Sequence, residues 1–163
     1  MTAVLPHYKS GPMNCQVSAL IFGGQLVENT TQTAGTTDLT VKPAVAGSKA
    51  VLGVAGKDAN VLAAQAGAAN TYGQPQIDIS VLDDFTSVYY GGVDIWVWYA
   101  GACVPGVLLV AGANGTVLTV GAGTFDQAIG RCTHPGGVAA GQLTQQIGGL
   151  GASSFFLGRA RIF

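Results

Sequence analysis

The sequence predicts an all-β fold: a small barrel or sandwich with one short helix and an extended N-terminal arm. Three observations predict it. Turn signals recur at short intervals, at Gly23-Gly24, Gly91-Gly92, Pro105-Gly106, Ala113-Asn114-Gly115, residues 121–123 and Pro135-Gly136-Gly137. The apolar runs between them are of strand length, and the clearest of them alternate with period two. Only one segment favours helix. Short strands punctuated in this way are the pattern of all-β barrels and sandwiches.

Residues 1–16 read as an arm, broken by Pro6, Gly11 and Pro12 and without sustained periodicity. Residues 17–22 are a short apolar strand closed by Gly23-Gly24, and 25–28 extend the hairpin. Residues 29–38 are a Thr- and Gly-rich polar loop. Residues 39–45 alternate in part, with Pro43 confining them to a sheet edge because proline has no N–H for the ladder. Residues 51–55 (VLGVA) form a strand, and Gly56-Lys57-Asp58 a turn. Residues 58–68 are the helical stretch, with Asp58 as cap and alanines to favour it. Residues 77–82 alternate cleanly as a strand. In 93–99 (VDIWVWY), Val93, Ile95, Val97 and Tyr99 share one face, and Asp94, Trp96 and Trp98 the other. Bulk on both faces predicts that this strand is covered on both sides. Strands at 107–110, 115–120, 128–132 and 155–163 complete the set. The segments 51–55 and 128–132 echo one another, each a small strand with a central glycine. Such a glycine marks a bulge, a barrel corner or a coincidence of small residues, and no repeat is built on it. The predicted organisation is an arm, 1–16, and a single barrel-like domain, 17–163.

Charge is scarce. Only 9% of residues are charged, against about 25% in ordinary soluble domains. Hydrophobic residues make up 48% of the chain, and the mean hydropathy is +0.41. A surface so poor in charge is expected to be covered by other protein chains. With 163 residues the chain can bury a core without staples. Its net charge of −1 provides no basic stripe, which disfavours nucleic acid as a partner. Residues 95–125 carry no charge, but Pro105-Gly106, Gly112 and Asn114-Gly115 cut the run into strand-sized pieces, so a membrane-spanning helix is excluded. The N-terminus lacks the basic and apolar regions of a secretory signal. Cys15, Cys103 and Cys132, odd in number and widely spaced, fit buried thiols in a reducing compartment better than a disulfide framework. A Cys103–Cys132 bridge is the minor alternative.

No catalytic constellation is apparent. His7 and His134 are the two histidines. Cys132 and His134 stand two apart, but no second ligand pair accompanies them, so neither a zinc site nor a Cys/His nucleophile is supported. Asp83-Asp84 reads as a strand end and turn cap. Asp78 and Asp94 are placed to pair with basic residues across a sheet. Residues 53–57 (GVAGK) lack the first glycine of a phosphate loop, and Asp58 follows the lysine where Ser or Thr is needed. No cofactor is expected. Tyr89, Tyr90, Trp96, Trp98 and Tyr99 concentrate aromatic area that serves a core, a protein interface or a sugar platform.

The stretch VDIWVWYAGACVPGVLLVAGANGTVLTVG, followed by AIGRCTHPGGVAAGQ, resembles tailed-phage head decoration proteins, also called capsid cement proteins. The likeness lies in turn grammar: Ala100-Gly101 to Pro105-Gly106 with Leu108-Leu109, then Gly112 to Val117, then Ile129-Gly130 to Pro135-Gly136-Gly137. VLGVAGKDA at 51–59 fits the same style. The resemblance covers roughly residues 45–142. It implies a small β-barrel or β-tulip-like protein on the outside of a phage capsid, often a homotrimer, that clamps the major capsid protein and has no catalytic residues. It also implies an arm that orders on binding by adding a strand to its partner. The candidate interface residues are Leu5, Tyr8 and Met13 on the arm, and Trp96, Trp98 and Tyr99 on the aromatic strand. Other phage virion β-domains, from tail, fibre or minor capsid, and a carbohydrate-binding β-module are the alternatives.

Overall fold

Ten strands follow one another along the described part of the chain, a computed structural model that describes residues 12–30, 39–60, 84–92, 94–122, 124–145 and 154–163. The first five are β1 (Met13–Val17), β2 (Leu26–Asn29), β3 (Thr40–Pro43), β4 (Val51–Ala55) and β5 (Phe85–Tyr89). The second five are β6 (Asp94–Tyr99), β7 (Leu108–Ala111), β8 (Val117–Thr119), β9 (Gly130–Cys132) and β10 (Phe156–Ile162). Each set closes into a barrel, in the orders β1-β3-β2-β4-β5 and β10-β6-β8-β7-β9. Short 3-10 turns at Ala113–Gly115, Phe125–Gln127 and Ala140–Gln142 are the helical elements among the described residues.

The two barrels have one topology. When β6 to β10 are matched in order to β1 to β5, every pairing corresponds, including the parallel pair in each barrel: β1 with β3, and β6 with β8. The correspondence extends to single residues. Val17 and Tyr99 hold the same place in the parallel pairs, Ile21 and Cys103 make the same isolated bridges to Ala59 and Val138, and Leu26 and Leu108 begin the next strand. Each of these pairs stands 82 residues apart.

The amino acids shared between the halves are few, and where they are glycine the geometry requires them. Gly24 and Gly106 occupy the same turn with φ of 87° and 82°, a conformation costly for residues bearing a Cβ. Each donates its N–H back to the end of the fourth strand, to Ala55 O at 2.7 Å and Cys132 O at 2.8 Å. Gly53 and Gly130 hold the same position in β4 and β9. A Cβ at Gly53 would collide with the carbonyl oxygen of Tyr89, and one at Gly130 with that of Arg161. The echo between 51–55 and 128–132 therefore marks equivalent strands whose backbones approach closely, not a coincidence of small residues.

The barrels share a wall. In the first barrel Cys15, Val17, Ile21, Val27, Val41, Ala55, Ala59 and Val88 pack inward. From the other face of the same strands, Leu26 and Val54 join Val97, Tyr99, Leu109, Ala111, Val117 and Ile162 in the second core. This explains why β4 (VLGVA) reads as a continuous apolar run and why Leu26 and Val27, neighbours on opposite faces of β2, are both buried. Hydrogen bonds sew the seam, with Gln25 Nε2 donating to Asn114 O at 2.8 Å, Gly115 N to Ala44 O at 2.8 Å and Gly47 N to Ala111 O at 2.8 Å.

The all-β, small-barrel expectation holds, but there are two barrels where one was expected. The arm does not extend to residue 16. Met13–Val17 is a strand paired on both sides, because Cys15 and Val17 alternate into the core. Pro43 does not lie on a sheet edge. It ends β3 opposite Val27, in a strand flanked by β1 and β2, where it closes the strand without interrupting the ladder. The helix start expected at Asp58 is not helical: Ala59 bridges Ile21, and the Asp58 carboxylate accepts the Gly23 N–H at 2.7 Å. The rest of that helix and the strand at 77–82 lie outside the described residues.

Glu28 is the one buried carboxylate of the β2 wall. Lys42, its cross-strand partner, lies 3.3 Å away, and the Val45 N–H donates to it at 3.3 Å. Burial raises its pKa, but hydrogen bonds from Ser48, Val45 and Lys42 outweigh this and leave it lowered. A lowered folded value makes the ionised form stabilising above the unfolded pKa, and that contribution is lost as pH falls through the folded value. Glu28→Gln is expected to reduce stability at neutral pH by about 1–2 kcal/mol and to flatten the acid limb of a denaturation-against-pH curve. An unchanged acid limb would refute this. Gly53→Ala and Gly130→Ala are each expected to cost at least about 2 kcal/mol in chemical denaturation. Gly141→Ala, where a Cβ meets nothing within 4 Å, should be nearly neutral.

Candidate functional site

Strand β6 has one inward and one outward face, and the aromatics divide between them. Val97 and Tyr99 point into the second core. Tyr99 has no exposed surface, and its hydroxyl donates to Arg159 O at 2.8 Å. It therefore belongs to the core and is not available as an interface residue. Trp98 points outward but is half-buried in the seam, where its Nε1 donates to Gly23 O at 2.7 Å and its backbone N–H to Gly24 O at 3.2 Å. Its partner is the first barrel of the same chain. Trp96 alone of the three is open, at 52% exposure, so β6 is not covered on both sides along its whole length. Met13 is half-buried at the start of β1. Leu5 and Tyr8 lie outside the described residues.

Around Trp96 the sheet builds a definite surface. His134 packs edge-on against Trp96, with ring centres 6.3 Å apart, and against Phe156 at 5.1 Å. On the neighbouring strand Arg159 lies opposite Trp96, and Arg161 opposite Asp94. Arg161 hydrogen-bonds Asp94 at 2.9 Å, and Arg159 approaches it at 4.0 Å. The Arg161 hydrogen bond holds the Asp94 carboxyl below its ordinary range. Thr133 contributes to that lowering, although neither Asp94 Oδ1 nor Thr133 Oγ1 makes a well-formed hydrogen bond. The pairing expected of Asp94 is thus made by the alternating arginines of β10. Asp78 and Asp83 lie outside the described residues.

Beside this surface a groove of about 560 Å³ runs along the seam, lined by Gly23, Gly24, Ala55, Tyr89, Trp96 and Leu157 among others. It offers apolar floor and aromatic faces. Asp94 at its rim is kept ionised by arginine and is poorly suited to exchange a proton. Cys132 and His134 diverge, the thiol into the core and the imidazole toward Trp96. Among the described residues no group of three or more His, Cys, Asp or Glu is placed to hold a metal. No helix among them is long and apolar enough to cross a membrane; the charge-free run from Ile95 instead forms most of β6, all of β7 and β8, and their turns.

The second barrel and the first together have a known counterpart. The fold is similar to that of a solved phage protein. The chain aligns with the head fiber gp8.5 N base of bacteriophage phi29 at a TM-score of 0.56 and 14% identity, over 94% of each chain. No family model and no curated protein matches the sequence. At that identity the likeness is one of fold.

Sequence reasoning missed further exposed apolar residues: Val45 at 53%, Val104 at 62% and Phe125 at 67%. Their exposure carries no periodic signal, because each sits in a turn or loop. The Trp96/Trp98 division predicts unequal effects. Trp98→Phe, which loses the hydrogen bond to Gly23, should destabilise by about 1–2 kcal/mol in thermal or chemical unfolding. Trp96→Phe should stay within about 0.5 kcal/mol of the parent. Equal losses would contradict the placement of Trp98 in the seam.

Proposed function

We propose that this chain is a structural protein of a tailed-phage head, carried on the outer surface of the capsid, where it binds the major capsid protein and reinforces the shell. The observation that carries this reading is the fold it shares, across both barrels, with a head fibre base. The scarcity of charge and the exposed apolar side chains support it, since both fit a surface made to be covered by protein. In this reading the chain performs no reaction, needs no cofactor and meets neither nucleic acid nor membrane directly.

Self-association as a homotrimer fits the same reading. Closed symmetry lets several copies share apolar surface and presents repeated contacts to the lattice. The fold likeness favours a second version of the role, in which the barrels anchor an appendage at a few sites on the head rather than decorating it throughout.

Purified chain mixed with expanded heads lacking it should co-sediment with them to a saturating copy number, and labelled chain should decorate heads in electron micrographs. High occupancy identifies decoration, and a few copies per particle an anchor. Folded protein that ignores heads, or label found on tails, would overturn the proposal. Trp96→Ser should weaken attachment by about tenfold or more while leaving the chain folded.

A further inference from the structure

The second barrel holds a pair of thiols with no part in the role above. Cys103 lies in the loop after β6, Cys132 ends β9, both are buried, and their sulfurs are 3.1 Å apart. The backbone around them is pinned. Cys103 exchanges hydrogen bonds of 2.9 and 2.8 Å with Val138, and the Cys132 N–H donates to Val107 O at 2.9 Å. Sulfurs held in contact on a fixed backbone need little rearrangement to bond. The first barrel makes the same backbone bonds with Ile21 and Ala55 in the corresponding places, Ile21 with Ala59 and the Ala55 N–H with Gln25 O. Sulfur is therefore not needed to build the barrel. Cys15, the third thiol, is buried in the other core, where its Sγ faces Met13 O at 3.7 Å.

We propose that Cys103 and Cys132 are a redox-sensitive pair that closes into a disulfide on meeting a small-molecule disulfide such as oxidised glutathione. Cys103 is the entry point. It is 7% exposed against 1% for Cys132, and it lines a surface groove of about 430 Å³ with Ala102, Val104, Val107 and Thr119. The Cys103 thiol gives its proton to solvent, and the thiolate attacks one sulfur of the small disulfide. That S–S bond breaks, and one small thiolate leaves and takes up a proton. Cys132, deprotonated in turn, attacks Cys103 Sγ and expels the second small thiol. The two protein thiols are oxidised, and the small disulfide is reduced to two thiols. Burial pushes the Cys103 thiol up, and the adjacent Cys132 pushes it further, so closure is slow at neutral pH and quickens in mild alkali. The bond spans 29 positions of sequence and staples β9 to the loop after β6. The proposal is independent of the virion role.

The test uses the full chain, incubated with oxidised glutathione or with a reducing dithiol, then alkylated under denaturing conditions and weighed. Alkylatable thiols should fall from three to one. Peptide mapping should place the remaining one on Cys15 and link the Cys103 and Cys132 peptides. The melting temperature should rise by about 5–10 °C on oxidation. Cys132→Ser should stop at a mixed disulfide between Cys103 and glutathione, and Cys15→Ser should still form the link. Three alkylatable thiols after oxidation, or glutathione left on wild-type Cys103 without linkage, would overturn the proposal. If Cys132→Ser fails to fold, the wild-type mass decides.

Discussion

Two strands, β2 and β4, are buried on both faces, and the relation between the barrels follows from this. Leu26 and Val54 leave the first barrel to enter the second core, while Val27 and Ala55 on the same strands fill the first. Burying a Leu or Val side chain contributes about 1.5–3 kcal/mol, against about 1 kcal/mol for each hydrogen bond across the seam. Apolar burial therefore joins the barrels, and the hydrogen bonds set their register. Separating them would expose Leu26, Val54 and Ala44 and strip buried Gln25 of its bond to Asn114, so neither barrel is complete alone.

The repeated topology shows how little sequence such a barrel requires. Between the matched halves, identities include Gly24 and Gly106, Leu26 and Leu108, Val41 and Val117, and Gly53 and Gly130. At the glycines the backbone either turns left-handed or passes too close to a carbonyl for a Cβ. Elsewhere an apolar side chain of suitable size suffices, so Val17 matches Tyr99 and Ile21 matches Cys103. Tolerance of this kind also accounts for a fold shared at 14% identity with a head fibre base.

Nearly half of the charged residues pair within the chain. Glu28 pairs with Lys42, Lys49 with Asp126, and Asp94 with Arg161 and Arg159. These pairs use three acidic and four basic residues of the eight and seven present, which limits long-range electrostatic steering of a partner. The exposed apolar and aromatic side chains among the described residues include Trp96 beside the seam groove, with Val45, Val104 and Phe125 elsewhere. Surfaces of this type recognise by shape and burial at short range.

Many strand positions and turns were legible from the sequence, because side-chain alternation and glycine-bearing turns are local properties. But β5 was not expected, and residues 18–22 hold a bend and the isolated bridge of Ile21 where a strand was expected. The strands expected at 51–55, 93–99 and 107–110 match β4, β6 and β7 to within a residue or so, and the pairing of Asp94 with arginine followed from charge on a strand. What stands opposite each face was not legible. Tyr99 and Trp98 are adjacent and equally bulky, yet one is core and the other a seam residue, and Trp96 is open. The residues 13–16 read as arm because Cys15 and Val17 give too short an alternation to announce a strand. The double burial of β2 and β4, the second barrel and the contact between Cys103 and Cys132 arise from pairings between residues far apart in sequence. Periodicity records how side chains alternate about one strand, and only the assembled barrels determine which neighbour each face meets.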